Sequence, residues 1–224
     1  MKNLLVLICC ITFAGTGFTQ DNDFTEQSDP KATAILKTIS EEYKALQSMA
    51  VDFSLVIEIP EADKEIQSGK MVQKGQKYRM EMGGRELISD GNKLWMYLKD
   101  RNEVQINDVE EDDEESAIMS PNDLFNMYEK GEYIYVLTNE FQEAGKTIQQ
   151  IEFKPTDRYS EYTKLRLTIE KGTNKVMRMK VFSKDGSKYT LNIDKLNANK
   201  KFGTDHFTFK KDKYPGVKVE DLRL

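Results

Sequence analysis

Few residues in this sequence have the types and spacing that catalysis requires. The chain contains a single histidine, His206, which stands beside Phe207 and outside any recognisable catalytic motif. A general base needs a partner that orients it, and the sequence offers none in a pattern with this histidine. The sequence also contains no Gly-x-Ser-x-Gly nucleophile elbow, phosphate-binding loop or dinucleotide fingerprint. We therefore expect a protein that is not an enzyme.

The sequence has equally little that could hold a metal ion. The acidic run at residues 110–115 has neither the spacing nor the glycine of an EF-hand loop, and such runs usually form solvated loops. The DGN segment at residues 90–92 is fully explained as a hairpin turn. Both cysteines, Cys9 and Cys10, lie in an N-terminal apolar run that we expect to be cleaved off. We therefore predict no metal site.

The N-terminus has the pattern of a secretory signal peptide. Lys2 precedes a short apolar run at residues 4–13, and small residues follow it. The run is too short to span a bilayer stably, and a buried N-terminal strand is the alternative. We predict a signal peptide at residues 1–19, a disordered leader at residues 20–30 and one domain at residues 31–224.

The composition favours a soluble globular protein that does not bind nucleic acid. Charged residues make up 32% of the chain and hydrophobic residues 38%, with a formal net charge of -5, so the chain repels phosphate backbones. The ten methionines are more informative. Methionine is flexible and polarisable, and it suits surfaces that repack around varied apolar partners. Ordinary filling of a core is the alternative explanation for their number.

Two helices are predicted, one near each end of the first half of the chain. Asp29 is suited to cap a helix that begins at Pro30, and apolar residues then recur at spacings of three and four through residue 46. A second, short and apolar helix follows Ser120 and Pro121. The first helix must pack on another element, because an isolated helix of this length is only marginally stable.

Alternating apolar residues predict about ten β-strands in antiparallel succession. In residues 51–59, apolar side chains at every second position indicate one long strand with a single apolar face. A tight hairpin is predicted at residues 90–92. The second half of the chain continues as a meander, and Phe207 and Phe209 are predicted to begin the last strand.

Each predicted strand offers one apolar face, so a single large sheet must curl and its inner face must be covered. The two predicted helices are few for so much sheet. This shortage favours an interior that the protein's own side chains fill incompletely. A well-packed sandwich or barrel would show the same alternation, so the pattern alone leaves both architectures open.

Several segments, taken in order, resemble a known family. The clearest is ISDGNKLWMY at residues 88–97, which is similar to a hairpin of the form SDG-x-x-LW-x-Y. The other similar segments are residues 51–54, residues 67–70, Ser120-Pro121 with Leu124, residues 207–209 and residues 215–219. Together they resemble the LolA family, the periplasmic carriers of outer-membrane lipoproteins in Gram-negative bacteria. The resemblance covers residues 31–224.

The resemblance implies a fold, a function and a set of partners. The fold is α+β and mainly β: a strongly curved antiparallel sheet, an unclosed half-barrel, with helices covering the concave face as a lid. The function is a periplasmic carrier that binds lipoprotein acyl chains in a hydrophobic cavity and shuttles lipoproteins from the inner to the outer membrane. The partners are an inner-membrane ABC transporter complex for loading and an outer-membrane acceptor. The carrier would be a monomer and need no cofactor.

The expected cavity lining combines strand parity with this resemblance. The candidate lipid-binding residues are Phe53, Leu55, Ile57, Tyr78, Met80 and Trp95 from strands, and Leu124, Phe125 and Met127 from the lid. Parity shows which residues of a strand share a face but not which face is concave. In residues 94–98 both parities are apolar, so Trp95 is an arbitrary choice there.

The sequence departs from the family pattern at the position expected to control the lid. Lys74 and Gly75 stand where the best-studied branch has Arg-Pro, and that arginine contacts the lid. Lysine keeps the charge but lacks the planar fork of donors, so we expect gating by Lys74 to differ. A solvated lysine at the end of a strand is the alternative.

Other functions remain open at this stage. A half-barrel of this kind could carry or sense free lipids or glycolipids in the periplasm. A secreted hydrolase that uses His206 or the acidic clusters is the alternative from another class, and a structural adhesin module with a filled core is a third.

Overall fold

The computed structural model describes residues 27–109 and 129–223. The predicted signal peptide, the acidic run at residues 110–115 and the predicted second helix, with Leu124, Phe125 and Met127, lie outside these ranges, as does most of the predicted leader. The described residues form one α-helix and twelve β-strands. The prediction of a mainly β chain is confirmed.

The helix and strands have the following bounds. Helix α1 is Pro30–Lys44. The strands of the first half are β1 (Met49–Glu58), β2 (Glu65–Lys74), β3 (Lys77–Met82), β4 (Arg85–Ser89), β5 (Lys93–Leu98) and β6 (Glu103–Asp108). Those of the second half are β7 (Tyr133–Glu143), β8 (Lys146–Pro155), β9 (Tyr162–Glu170), β10 (Lys175–Ser183), β11 (Lys188–Ala198) and β12 (Lys218–Asp221).

All twelve strands belong to one curved, unclosed sheet in the order β12-β6-β5-β4-β3-β2-β1-β11-β10-β9-β8-β7. Neighbouring strands are antiparallel except β12, which runs parallel to β6. The first and last of the long strands, β1 and β11, pair along their whole length and join the two halves of the sheet. The predicted half-barrel is therefore confirmed, with β7 and β12 at its two edges.

Helix α1 begins where the sequence predicts it. The Asp29 carboxylate accepts a hydrogen bond from the Lys31 backbone N–H at 2.8 Å, and Pro30 occupies the first turn, where no intrahelical donor is needed. The Asp29 backbone N–H donates to the Tyr135 carbonyl at 2.9 Å, which ties the start of the helix to β7. Ala32, Leu36 and Ile39 form the buried stripe that packs on the sheet.

The prediction that Phe207 and Phe209 begin the last strand is wrong. Phe207 ends a short 3-10 turn, Thr204–Phe207, and the last strand is β12, which begins at Lys218. Both rings pack on the sheet: Phe207 is buried, and Phe209 contacts the cluster formed by Ile88 and its neighbours. The alternation of apolar residues here reflects anchoring of a loop to a sheet surface rather than strand pairing.

The two faces of the sheet are covered by different parts of the chain. The concave face, called here the inner face, carries α1, whose buried stripe packs on Leu165, Leu167 and other residues of β7 to β10. The opposite, outer face of β4 to β6 is covered by the C-terminal segment, residues 207–217, through Val217 and its neighbours. The hydrophobic cluster on the inner face of β1 to β3 contains no residue of α1.

Candidate functional site

A row of apolar side chains crosses the inner face of the first half of the sheet. Val51 of β1 is the register neighbour of Met71, which lies opposite Met80 of β3. The row continues through Leu87 of β4 to Met96 of β5. The first three side chains are buried, whereas Leu87 and Met96 are only half-buried. A ligand with an apolar chain could cover the half-buried part of this row.

The inner face stays partly open along β1 as well. Leu55 lies opposite Leu191 of β11, and Ile57 lies opposite Tyr189. All four side chains are half-buried. With the row through Met96 they form one continuous apolar surface, called here the open apolar face. It consists of Leu55, Ile57, Met82, Leu87, Met96, Tyr189 and Leu191 over a floor of Phe53, Met71 and Met80.

Methionine is concentrated beneath this surface. Three of the five buried members of its cluster are Met49, Met71 and Met80, and Met82 packs against them. In the cluster under α1, Met179 is the single buried methionine among eleven buried residues. Flexible methionine side chains can rearrange around varied apolar partners, which branched aliphatic side chains do less readily. The chemistry of the open apolar face is that of an adaptable surface for hydrocarbon.

Gly69 leaves room for the ring that forms the floor of the open apolar face. It lies opposite Phe53 in the register of β1 and β2. A Cβ at Gly69 would lie 2.7 Å from Cε2 of Phe53 and 2.9 Å from the Glu81 carbonyl oxygen. Phe53 is thus packed across the backbone of β2, and only glycine permits this approach.

Five of the predicted strand residues share the inner face, and Trp95 does not. Phe53, Leu55 and Ile57 lie on the inner face of β1, and Tyr78 and Met80 lie on that of β3. These five residues come from the same side of neighbouring strands, as parity predicts. Whether they bind lipid is a matter for the proposal below.

Trp95 lies on the outer face, opposite Ile88, and is buried in a cluster with Val104 and Val217. Its neighbours Leu94, Met96 and Leu98 occupy the inner face of β5 instead. Because both parities of this strand are apolar, its sequence could not indicate which set faces inwards. Coverage of the outer face by the C-terminal segment decides the orientation.

Lys74 is the last residue of β2 and is exposed. It lies opposite Lys77 across a tight turn in which Gly75 has a φ of 58°. Its side chain points to the outer side of the strand, because its neighbour Gln73 is the residue buried on the inner side.

Gln73 is a residue that the sequence reasoning missed. It is 8% exposed and lies on the inner face between Met49 of β1 and Tyr78 of β3. Its side-chain Nε2 donates to the Gly75 carbonyl at 3.1 Å, while its buried Oε1 has no hydrogen-bond partner in the described part of the chain. The sequence signal that could have identified Gln73 is a polar residue at a position of β2 that shares a face with Gly69 and Met71.

A polar network of Arg79, Glu86 and Tyr214 lies on the outer face, away from the open apolar face. The Arg79 guanidinium donates to Glu86 at 2.6 Å and to the Tyr214 hydroxyl at 2.8 Å, and Tyr214 donates to Glu86 at 2.8 Å. Burial first, and then the hydrogen bond to the Glu86 carboxylate, raise the pKa of Tyr214 above its ordinary value of 10.0. This network attaches the C-terminal segment to the sheet.

His206 is part of that attachment. Its carbonyl accepts a hydrogen bond from Arg79 at 3.1 Å, and its ring packs against Phe202 and Phe207. Burial and the nearby Arg79 charge lower the pKa of the imidazole. Its buried Nε2 has no hydrogen-bond partner within residues 27–109 and 129–223.

Within the same two ranges, no cluster of histidine, cysteine, aspartate and glutamate side chains has the size and spacing to hold a metal ion. The described helix is also neither long nor apolar enough to cross a membrane.

An unclosed curved sheet with a helix on its apolar inner face is the architecture of lipid-binding carrier proteins of the LolA type. A model of the family described as "Outer membrane lipoprotein carrier protein LolA" matches residues 44–210. The match covers well over half of the chain, and the chain belongs to this family. No curated protein matches the sequence significantly.

The solved structures that are similar to this chain have low sequence identity to it. An uncharacterized conserved protein from Thermus thermophilus is 12% identical, with a TM-score of 0.56 over 85% of this chain and 99% of that chain. A LolA superfamily protein from Nitrosomonas europaea is 13% identical, with a TM-score of 0.42 over 80% and 97%. LprF from Mycobacterium bovis is also 13% identical, with a TM-score of 0.47 over 80% and 97%.

Proposed function

We propose that this protein is a periplasmic carrier that binds the acyl chains of lipoproteins and shuttles lipoproteins from the inner to the outer membrane. Membership of the LolA family supports the carrier function. The observation that carries the proposal is the open apolar face, a methionine-rich surface that α1 leaves half-buried. The protein acts by binding and hand-over, without catalysis.

The proposed lining begins with Phe53, Leu55 and Ile57 of β1 and with Tyr78 and Met80 of β3. Leu87 and Met96 continue the same apolar row, and Met96 takes the place that the sequence analysis assigned to Trp95. Leu124, Phe125 and Met127 belong to the proposal as residues that cover the bound chain. An apolar lining with few fixed polar groups suits acyl chains of varied length and saturation.

The energetics of such a cargo dictate how it must be exchanged. Burying one methylene group is worth about 0.8 kcal/mol, so a sixteen-carbon chain gains roughly 13 kcal/mol before ordering costs. Release of that chain into water would be very slow. The carrier therefore receives cargo from an inner-membrane ABC transporter complex and delivers it to an outer-membrane acceptor by direct contact, so that the chain never enters water.

Binding of a fluorescent fatty-acid probe tests the proposal. We expect saturable binding by the wild-type protein and at least about tenfold weaker binding by Leu55→Asp, because a carboxylate on the open apolar face must be desolvated against hydrocarbon. Val56→Asp is the matched control: Val56 is the next residue of β1, is also half-buried and lies on the outer face. Both variants must unfold at similar denaturant concentrations.

Equal probe binding by the wild type and Leu55→Asp would contradict the proposal that the cargo lies on the inner face. Equal losses of affinity in Leu55→Asp and Val56→Asp would contradict it as well. Native mass spectrometry of protein purified from the periplasm identifies what is carried. Copurified lipoproteins support the proposed cargo. Copurified free lipids or glycolipids instead would replace it with a free-lipid carrier or sensor.

We also propose that Lys74 takes part in controlling the opening of the binding site. If its charge controls opening, Lys74→Ala changes the rate at which a bound probe exchanges, whereas Lys77→Ala, in the facing position of the same hairpin, does not. Stopped-flow exchange of the probe measures both rates. Identical exchange in the two variants and the wild type would make Lys74 a solvated strand-end lysine.

A further inference from the structure

Beside the open apolar face lies a buried polar atom that no described residue satisfies. Gln73 lies between Met49 and Tyr78 in the register of β1 to β3, on the same face as Met71. Its side chain is 8% exposed, and its Oε1 has no hydrogen-bond donor in the described residues. Buried carbonyl oxygens of side chains are nearly always hydrogen-bonded in native proteins, and an exception calls for an explanation.

The orientation of this side chain follows from its one hydrogen bond. The Nε2 group donates to the Gly75 carbonyl at 3.1 Å, and a carbonyl can only accept. The amide therefore cannot be flipped without losing that bond, and Oε1 is the atom left among the apolar side chains. The unsatisfied atom is thus a hydrogen-bond acceptor, which only a donor can complement.

We propose that Gln73 Oε1 accepts a hydrogen bond from the amide N–H of an N-acylated cargo, so that the site prefers amide-linked to ester-linked acyl chains. This inference rests on the proposed function and adds a chemical preference to it. Gln73 lies two residues along β2 from Met71 on the same face, so an acyl chain that occupies the row from Met96 to Met80 and ends at Met71 would have its first carbonyl group beside Gln73. At that position an amide offers an N–H, whereas an ester offers acceptors alone.

The neighbours of Gln73 can make room for such a group. Met49 lies directly opposite it on β1, and Met71 lies two residues earlier on β2. Both side chains are unbranched and can move aside without backbone change. The Nε2 bond to Gly75 holds the acceptor in place while they move.

The test compares two compounds that differ at one atom. N-palmitoylglycine methyl ester and palmitoyl glycolate methyl ester have the same chain and the same shape, with N–H in the first replaced by oxygen in the second. Each is titrated against a bound fluorescent fatty-acid probe on the wild-type protein. We expect the amide to compete about threefold to tenfold more strongly, the effect of one net hydrogen bond.

Gln73→Met should abolish this preference, because methionine keeps the shape of the side chain without the acceptor. Gln105→Leu is the matched control. Gln105 is a half-buried glutamine on the inner face of β6 whose Nε2 donates to Glu103, and its loss should leave the preference intact. Thermal unfolding of both variants verifies that they fold.

Equal competition by the two compounds on the wild-type protein overturns the inference without any variant, while leaving the carrier function standing. A preference that survives Gln73→Met also overturns it. Failure of the fluorescent probe and of both compounds to bind would overturn the proposed function together with the inference.

Discussion

The two halves of the inner face have the same alternation of apolar residues, but their side chains are buried to different degrees. Under α1, Ile151, Leu165, Leu167 and Ile169 are at most 1% exposed. On β1 and β5, Leu55 and Met96 occupy equivalent inner positions but remain half-buried. Among the described residues the difference lies in coverage, since the fifteen-residue helix α1 packs in the cluster formed mainly by β7 to β10. One half of the sheet is a closed core and the other an open apolar surface.

The two halves of the sheet also differ in the types of side chain that they contain. The covered half is built mainly from branched aliphatic and aromatic residues, which lock into one packing arrangement. The open half relies on Met49, Met71 and Met80, which tolerate rearrangement. A stable scaffold and an adaptable binding surface are thereby kept on separate strands of one sheet.

The largest loss of stability is expected for a substitution in the half of the sheet that α1 covers. Leu167→Ala should lower the free energy of unfolding by about 2–5 kcal/mol, because it leaves a cavity in a cluster that cannot collapse around it. Urea denaturation followed by circular dichroism measures the loss. A loss below about 1 kcal/mol would mean that this half is as loosely packed as the open half, and the comparison would fail.

A smaller loss is expected at the floor of the open apolar face. Gly69→Ala should cost about 1–3 kcal/mol, because the new methyl group displaces the Phe53 ring and meets the Glu81 carbonyl. Ser68→Ala, at the neighbouring exposed position, should be nearly neutral. Denaturation curves of the two variants compare them directly. Matching curves would show that Phe53 does not pack across β2 as described.

The outer face should contribute to stability without contributing to binding. Tyr214→Phe should cost about 1–2 kcal/mol, since it removes the hydroxyl shared by Arg79 and Glu86, and should leave acyl-probe affinity unchanged. A lowered probe affinity in a fully folded variant would contradict the separation of the two faces.

Tyr214→Phe should also change how the stability of the protein depends on pH. The pKa of Tyr214 is raised in the folded state, so its contribution is fully present below the unfolded value of 10.0 and is lost as the pH rises from there through the folded pKa. Stability of the wild type should thus fall more steeply above pH 10 than that of Tyr214→Phe. Parallel curves for the two proteins would show that the hydroxyl is not buried against Glu86.

The smallest stability effect is expected where the apolar surface is open. Met96→Ala should lower the free energy of unfolding by less than Leu167→Ala does, by about 1 kcal/mol, because part of the side chain already contacts solvent. It should nevertheless weaken binding of the acyl probe. The loss of probe affinity is divided by the loss of unfolding free energy for Met96→Ala and for Leu167→Ala. Comparing the two ratios measures how far the binding surface is separate from the stable scaffold.

Local signals in the sequence predicted the regular elements well. The capping Asp29 and Pro30 placed the start of α1, and the period-two alternation of residues 51–59 placed β1. The C-terminal segment was misread, because Phe207 and Phe209 mimic a strand when they in fact anchor a loop. The parallel strand β12 has no local signal, since its four residues are all exposed and pair only with β6.

The sequence by itself determined which side chains share a face, because the two-residue period of a β-strand is a property of the backbone. It also determined that Phe53, Leu55 and Ile57 lie together. Only the tertiary structure decided which face is concave, that Met96 rather than Trp95 lies on it, and that Gln73 is buried there with no donor among the described residues. The physical reason is that burial depends on what covers a face, and here the covering segments, α1 and residues 207–217, are distant in sequence from the strands they cover.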